Sequence, residues 1–432
     1  MPTTNKESNI TTIPVDYIIY IFLIICLQLT EVKIYSLKVS EIIILVLGFF
    51  LKKKAFKYEK KLIYIYVFFL FKTLFFNFFE TFYVPSDIKS FLKLPYVISL
   101  SRFIELLVCY VLLNLSFDFF YSRRKLANLH LSNIIKIQVW IAAIFTIVYV
   151  MYILGILHLK GDDYESFIVY NTNRGYDVEY RINGFYVEGG PIGLFYACMF
   201  VIFTIIEKKS FFLKIFILLF LIFGTQSKAG ISLIVLYFII DYFYISNKRR
   251  NWLVIIFAIF LFLISFSIII YVSYLESLNN IELIAQSHTV SGAEDIDRNH
   301  FMGRVAATVI VPNMLYYNFF SGIGLGNYAL VRNNPLYRSF IPEVPYWDLH
   351  GFGGGFDILV EGGCIIFLLF IIYLRTLWKK CYTINQKKVF IVFILSFIFG
   401  VQLYFLYPWF ILSYLLFLQK TETKELQKRT QT

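Results

Sequence analysis

Apolar runs of about twenty residues, enough to cross a ~30 Å hydrocarbon core, recur along this 432-residue chain from Val15 almost to its C-terminus. Short polar, mostly cationic stretches separate them. The alternation predicts about twelve helices, at 15–31, 34–51, 62–79, 96–120, 134–157, 185–206, 211–225, 228–245, 252–275, 354–378, 388–402 and 404–419. The last two form one run interrupted near Gly400 and Pro408, where tilted or re-entrant elements are expected. The fold class is therefore expected to be an all-α polytopic membrane protein, one integral domain over residues 1–432.

The positions of the cations give these helices a direction. Clusters at 52–61, 123–125, 208–209, 248–250 and 379–388, and the tail after Gln419, all fall on one side of the predicted membrane. With both termini cytoplasmic, every cluster lands in the cytoplasm, as the positive-inside bias requires. The opposite side receives two long segments, 158–184 and 276–353. The second, about 78 residues, is far longer than an ordinary connection and is expected to carry its own structure and the function. Within it, residues 302–320 have apolar positions at helical spacing, which predicts an amphipathic helix on the outer face.

Composition agrees with this class and adds two exclusions. The chain is 59% hydrophobic and 20% aromatic, and its net charge is +12. Such a charge can indicate nucleic acid, but here it sits in short clusters between spans, so no nucleic-acid partner is expected. The five cysteines, Cys26, Cys109, Cys198, Cys364 and Cys381, have neither metal-ligand spacing nor a disulfide framework, and are expected as small core residues. No metal and no cofactor is expected. The first fourteen residues are polar and no small-residue cleavage site follows the first apolar run, so no cleaved leader is expected.

Basic residues outside the cytoplasmic clusters are the candidates for chemistry. They are Arg174, Arg181, Lys228, Arg298, Arg304, Arg332 and Arg338, with His288, His300 and His350 in the same segments. Long loops escape the charge bias, so most of these are expected as solvated surface charges. Three have distinctive settings. Arg181 precedes a helix whose "EGGP" start, with Glu188, breaks the apolar run. Arg304 begins the amphipathic helix. His350 stands before "GFGGGFDILVEGG", which contains Asp357 and Glu361. Arginine suits a diphosphate because its planar fork donates paired, charge-assisted hydrogen bonds. Histidine can take a proton from a hydroxyl near neutral pH. Lys228, in "TQSKAG", either snorkels to headgroups or adds positive charge to the same cavity. The glycine-rich "SGIGLGNY" (321–328) does not match a dinucleotide fingerprint and is expected as a tight turn. Charges inside the spans are few, among them Lys72, Arg102, Glu105, Asp118 and Asp241.

In this order, the motifs resemble those of the O-antigen polymerase (Wzy) and O-antigen ligase superfamily of bacterial membrane glycosyltransferases. Arg181, Gly184, Glu188 and Pro191 resemble its outer-helix motif, and Ser227, Lys228 and Gly230 its hairpin motif, with lysine in place of the commoner arginine. Arg304, then Gly322, Gly324 and Gly326, then His350 with Glu361 and Gly363 resemble its long-loop motifs. The resemblance covers about residues 181–370. It implies a metal-independent, GT-C-like enzyme of the inner membrane that polymerises undecaprenyl-diphosphate-linked oligosaccharides into O-antigen or capsular polysaccharide on the periplasmic face. By it, Arg181 and Arg304 would hold the diphosphate and His350 would orient or deprotonate the acceptor. Glu188, Lys228, Arg298, His300, Arg338 and Glu361 would line the substrate site, with a chain-length regulator as a candidate protein partner. The alternatives are a ligase passing glycan to lipid A–core and, in a different class, a transporter or flippase of lipid-linked glycans. The latter predicts broken helices and charges deep in the spans.

Overall fold

The computed structural model describes residues 15–34, 37–83, 91–157, 169–174, 177–186, 189–207, 209–245, 306–339, 343, 353–399 and 402–431. The chain is a bundle of apolar helices, with two small antiparallel hairpins. In order these are α1 (Val15–Gln28), the hairpin β1 (Lys33–Ile34) and β2 (Leu37–Lys38), α2 (Val39–Phe50), the single turn α3 (Lys52–Ala55), α4 (Lys60–Phe79), α5 (Pro95–Ser122) and α6 (Ala127–Ile153). A second hairpin, β3 (Val169–Arg174) and β4 (Asp177–Ile182), precedes α7 (Gly189–Ile206), α8 (Phe211–Leu219, continued by a π turn to Gly224) and α9 (Lys228–Ile240, likewise continued to Ile245). After the undescribed stretch come α10 (Ala306–Asn318), the short α11 (Tyr328–Val331) and α12 (Pro335–Arg338), then α13 (Gly354–Lys379), α14 (Ile384–Ile398) and α15 (Leu406–Gln431).

Six helices among the described residues are long and apolar enough to cross a membrane: Lys60–Phe79, Pro95–Ser122, Ala127–Ile153, Gly189–Ile206, Lys228–Ile245 and Gly354–Lys379. The twelve expected spans are thus not all reproduced. The span at 252–275 lies outside the described residues, and Val39–Phe50 and Phe211–Gly224 are short apolar helices. The interrupted run near the C-terminus resolves into α14 and α15. α14 starts with a capping box between Thr383 and Gln386, and Pro408 falls in the first turn of α15, where its missing N–H costs no helical bond.

Side-chain pattern decides which helices are central. From Leu406 to Gln419, α15 is buried at every position, as befits a helix apolar on all sides. It packs along α5, whose interior residues run from Glu105 to Phe120. α4 instead buries a single stripe, Leu62, Tyr66, Phe69, Thr73 and Asn77, at the spacing that keeps one helix face together. Its other faces expose Phe71, Phe75, Phe78 and Phe79, and such a surface suits lipid. All five cysteines are free, four of them buried.

Contacts also separate the two ends of the bundle. At one end Lys54 pairs with Asp118, Lys136 with Glu207 and Lys388 with Asp241, so the lysine clusters of the inter-helix turns gather there. At the other lie the end of α1, the starts of α2, α5, α7, α13 and α15, and the segment 306–339. Tyr186, just before α7, donates to the carbonyl of Leu27 at 2.8 Å and stacks on Phe405.

Candidate functional site

Two polar assemblies occupy the end opposite the lysine clusters. The first surrounds Arg181. This residue belongs to a strand rather than to the edge of a helix: in β4 it lies opposite Tyr170 of β3. The hairpin is fixed to the bundle by the Tyr149 hydroxyl, which donates to the Tyr180 carbonyl at 3.1 Å. The chain then turns through Gly184, whose φ of +58° favours glycine and where a Cβ would meet Ile192 and the Phe145 ring at 2.7 Å.

Helix α7 runs from Gly189, so Gly189-Gly190-Pro191 lies in its first turn, and residues 183–186, where the predicted span began, form a turn instead. The lack of a side chain at Gly189 and at Gly193 serves close packing. A Cβ on Gly189 would lie 2.7 Å from the Thr225 carbonyl oxygen and 3.5 Å from Arg181 Cβ, and one on Gly193 would lie 2.0 Å from Ser227 Cβ. Ser227 caps α9 by accepting the Gly230 N–H and donates to the Gly190 carbonyl. The "SKAG" motif is therefore the contact that lets α7 and α9 cross closely, in the manner of small-residue crossings in membranes. Half-buried Arg181 and exposed Lys228 consequently stand beside the N-terminal turns of two helices, whose free N–H groups and dipoles attract anions.

The second assembly is a broken helix. Within α13, Gly363 has φ +64° and ψ −179°, which interrupts the helical hydrogen-bond ladder. The carbonyls released by the break are satisfied by the glycine-rich turn 322–326. Ile323 N–H donates to Val360 O at 3.0 Å and Gly324 N–H to Glu361 O at 2.9 Å, while Lys72 Nζ donates to Gly362 O. Beyond the break, Cys364 N–H donates to Phe319 O at 2.8 Å. Gly322, with φ +60°, has no room for a Cβ, which would fall 2.3 Å from Gly363 N. The expected tight turn is thus present, and its function is to cap half a helix. Buried side chains hold it: Thr73 accepts the Leu325 N–H at 2.9 Å, and Asn327 donates to Asn77 at 2.6 Å.

An ionic network adjoins the break. Glu105 accepts from Lys38 at 2.8 Å and from Arg102 at 2.7 Å, and Lys38 also lies 3.5 Å from Glu41. Both cations sit over the Tyr404 ring, Lys38 Nζ at 4.6 Å and Arg102 Cζ at 4.3 Å from its centroid. Arg102 also packs on the glycine-rich turn, where a Cβ on Gly326 would lie 2.6 Å from its Cγ, and Asp357 and Glu361 lie one turn apart on α13. Asp357 accepts the Gly353 N–H at 3.1 Å. Ionisable groups at this depth are costly, and their usual justification is function.

Of the nine residues expected at the site, His350, Arg304, Glu188, Arg298 and His300 lie outside the described residues. Arg181 lies against the first turn of α7, and Lys228 is the first residue of α9, which packs closely on that turn. Glu361 joins Asp357 and Arg102 at the broken helix. Arg338 closes α12 and pairs with the exposed Glu343 at 3.7 Å. The expected amphipathic helix is found as α10. Its face of Ala306, Ala307, Ile310, Val311 and Met314 packs on Ile98, Ile323, Leu330, Tyr337 and Val360.

Arg332 corrects an expectation: it is 2% exposed, not a solvated loop charge, because α11 folds against the bundle. Lys38, Glu41 and Tyr404 were missed altogether. An opposite-charge pair three residues apart in an apolar span, Arg102 and Glu105, was the available signal. The chain matches no known protein-family model, no curated protein and no solved structure.

Proposed function

We propose that this protein is a membrane glycosyltransferase that polymerises undecaprenyl-diphosphate-linked oligosaccharide units into O-antigen or capsular polysaccharide. The observation that carries this reading is the placement of Arg181 beside the first turn of α7, which packs closely on the start of α9, opened by Lys228. That arrangement suits a diphosphate held at the rim of the membrane. The lysine-clustered end then faces the cytoplasm, with both termini, and the Arg181 end faces the periplasm.

The step is a displacement. A hydroxyl of the acceptor sugar attacks the anomeric carbon of the lipid-linked donor, the bond from that carbon to the diphosphate oxygen breaks, and the lipid diphosphate leaves with the bonding pair. His350 takes the hydroxyl proton. Arg181 and Arg304 offset the charge that develops on the departing diphosphate. Preorganised donors of this kind contribute about 10²–10³-fold in rate each. The roles of His350 and Arg304 rest on the sequence motifs.

A second reading, transport of the same lipid-linked glycan, draws support from the helix broken at Gly363 and the charge network beside it. Surface glycan from a deletion strain separates the possibilities. A single repeat unit on the core means polymerase, and naked core with accumulated lipid-linked polymer means ligase. Lipid-linked repeat units trapped on the cytoplasmic side mean transport. Arg181→Ala, Arg304→Ala and His350→Ala should each abolish long polysaccharide while the protein stays in the membrane; normal chain-length ladders in all three would sink the site assignment.

A further inference from the structure

At the lysine-clustered end, away from both polar assemblies, a cavity of about 390 Å³ opens between four parts of the chain. Tyr58 and Glu59 line it from the turn before α4, Phe117 from α5, Lys380 and Tyr382 from the α13–α14 turn, and Leu416, Gln419 and Lys420 from α15. Lys420 is held among three rings, its Nζ 4.9 Å from the centroid of Tyr58, 5.4 Å from Phe117 and 4.4 Å from Tyr121. Lys57 lies over the Tyr58 ring as well, at 5.1 Å. Two lysines thus line a cavity whose lining includes one carboxylate, Glu59, and neither Lys380 nor Lys420 has a carboxylate within ion-pair distance among the described residues.

The cavity is amphipathic. Phe117 and Leu416 form a buried apolar wall, whereas Lys380 and Tyr382 are exposed at the mouth, beside the exposed Ile384. A soluble anion would use only the cations and leave the apolar wall wet. An amphiphile with an anionic head would use both parts.

We infer that this cavity is a binding site for an anionic phospholipid of the adjacent leaflet, its phosphate held by Lys380 and Lys420 and the start of an acyl chain lying against Phe117 and Leu416. Basic pockets between membrane helices recognise such headgroups, and each cation near the surface is worth about fivefold in affinity. The aromatic cage preorganises Lys420, so the lipid need not order that side chain on binding. A choline headgroup is disfavoured, because the cage that would receive its quaternary ammonium already holds Lys420.

The test uses the full chain in nanodiscs of phosphatidylcholine, titrated with phosphatidylglycerol and read by native mass spectrometry of released complexes. Wild type should retain one phosphatidylglycerol, and Lys380→Gln/Lys420→Gln should bind it about twenty-five-fold more weakly. Lys380→Arg/Lys420→Arg should keep it, which separates lost charge from lost fold. Should the glutamine pair fail to fold, Lys380→Gln alone, at an exposed position, should still lose about fivefold. Equal retention by wild type and these glutamine variants, or equal retention of phosphatidylcholine, overturns the proposal. Displacement of the lipid by millimolar inorganic phosphate would overturn it too, by reassigning the site to a soluble anion.

Discussion

Gly322→Ala is the substitution that most directly tests the broken helix. Gly322 has φ +60°, and a Cβ there would sit 2.3 Å from Gly363 N and 2.4 Å from the Glu361 carbonyl oxygen. Both are backbone atoms, so no side chain can swing aside. Forcing alanine into the left-handed region costs about 1–2 kcal/mol. Relieving the overlap means parting the turn from α13, which forfeits the bonds of Ile323 N–H to Val360 and of Gly324 N–H to Glu361, each worth ~0.5–1.5 kcal/mol net. The expected destabilisation is therefore about 2–5 kcal/mol. Gly355→Ala on the same helix is the control: a Cβ there meets nothing within 4 Å, and alanine in a helix gains up to ~1 kcal/mol over glycine. Equilibrium unfolding in mixed micelles, followed by circular dichroism, measures both. If Gly322→Ala unfolds at the same denaturant fraction as wild type and the control, the capping of Val360 and Glu361 by this turn is not what stabilises the break.

Other substitutions probe the remaining contacts. Gly193→Ala drives a methyl to 2.0 Å from Ser227 Cβ and should cost about 1–3 kcal/mol by overpacking; Ser227→Gly in the same chain should restore part of it. Glu105→Gln removes the shared partner of Lys38 and Arg102, and leaving buried charge uncompensated should cost about 3–5 kcal/mol in the same unfolding assay. Thr383→Ala deletes the α14 capping box and should cost about 1 kcal/mol. Glu207 is held below the usual carboxylate range, first by the Ser132 hydroxyl and then by Lys136, both hydrogen-bonded to its charged form. Its contribution is present above the unfolded-state pKa near 4.3 and lost as pH falls through the lower folded value. Glu207→Gln should therefore flatten the acid limb of a stability–pH curve and leave its alkaline limb unchanged.

Much of the architecture was written along the chain. Helices such as α4, α5, α7 and α13 begin and end within a few residues of their apolar runs, because in lipid a backbone must satisfy its hydrogen bonds within each segment. The lysine clusters marked one end of the bundle for a similarly local reason, since each cation sits next to the span it terminates. The role of "SGIGLGNY" as a turn was legible from its glycines alone.

What the turn caps was not legible. Gly363 looks like any glycine in an apolar helix until Ile323 and Gly324, some forty residues earlier, supply N–H donors to the carbonyls it frees. The β3–β4 hairpin escaped notice because "VYNTNR" and "DVEYRI" are polar and gain their pairing from each other. Lys38, Arg102, Glu105 and Tyr404 come from three distant spans, and a charge in an apolar run looks merely expensive until its partners are seen. Hydropathy and charge bias act on each segment by itself, so the sequence alone determined where helices run and which end is basic. The close crossing of the starts of α7 and α9 beside Arg181, the break in α13 and the buried ion network depend on contacts between remote segments, and only the tertiary structure decided them.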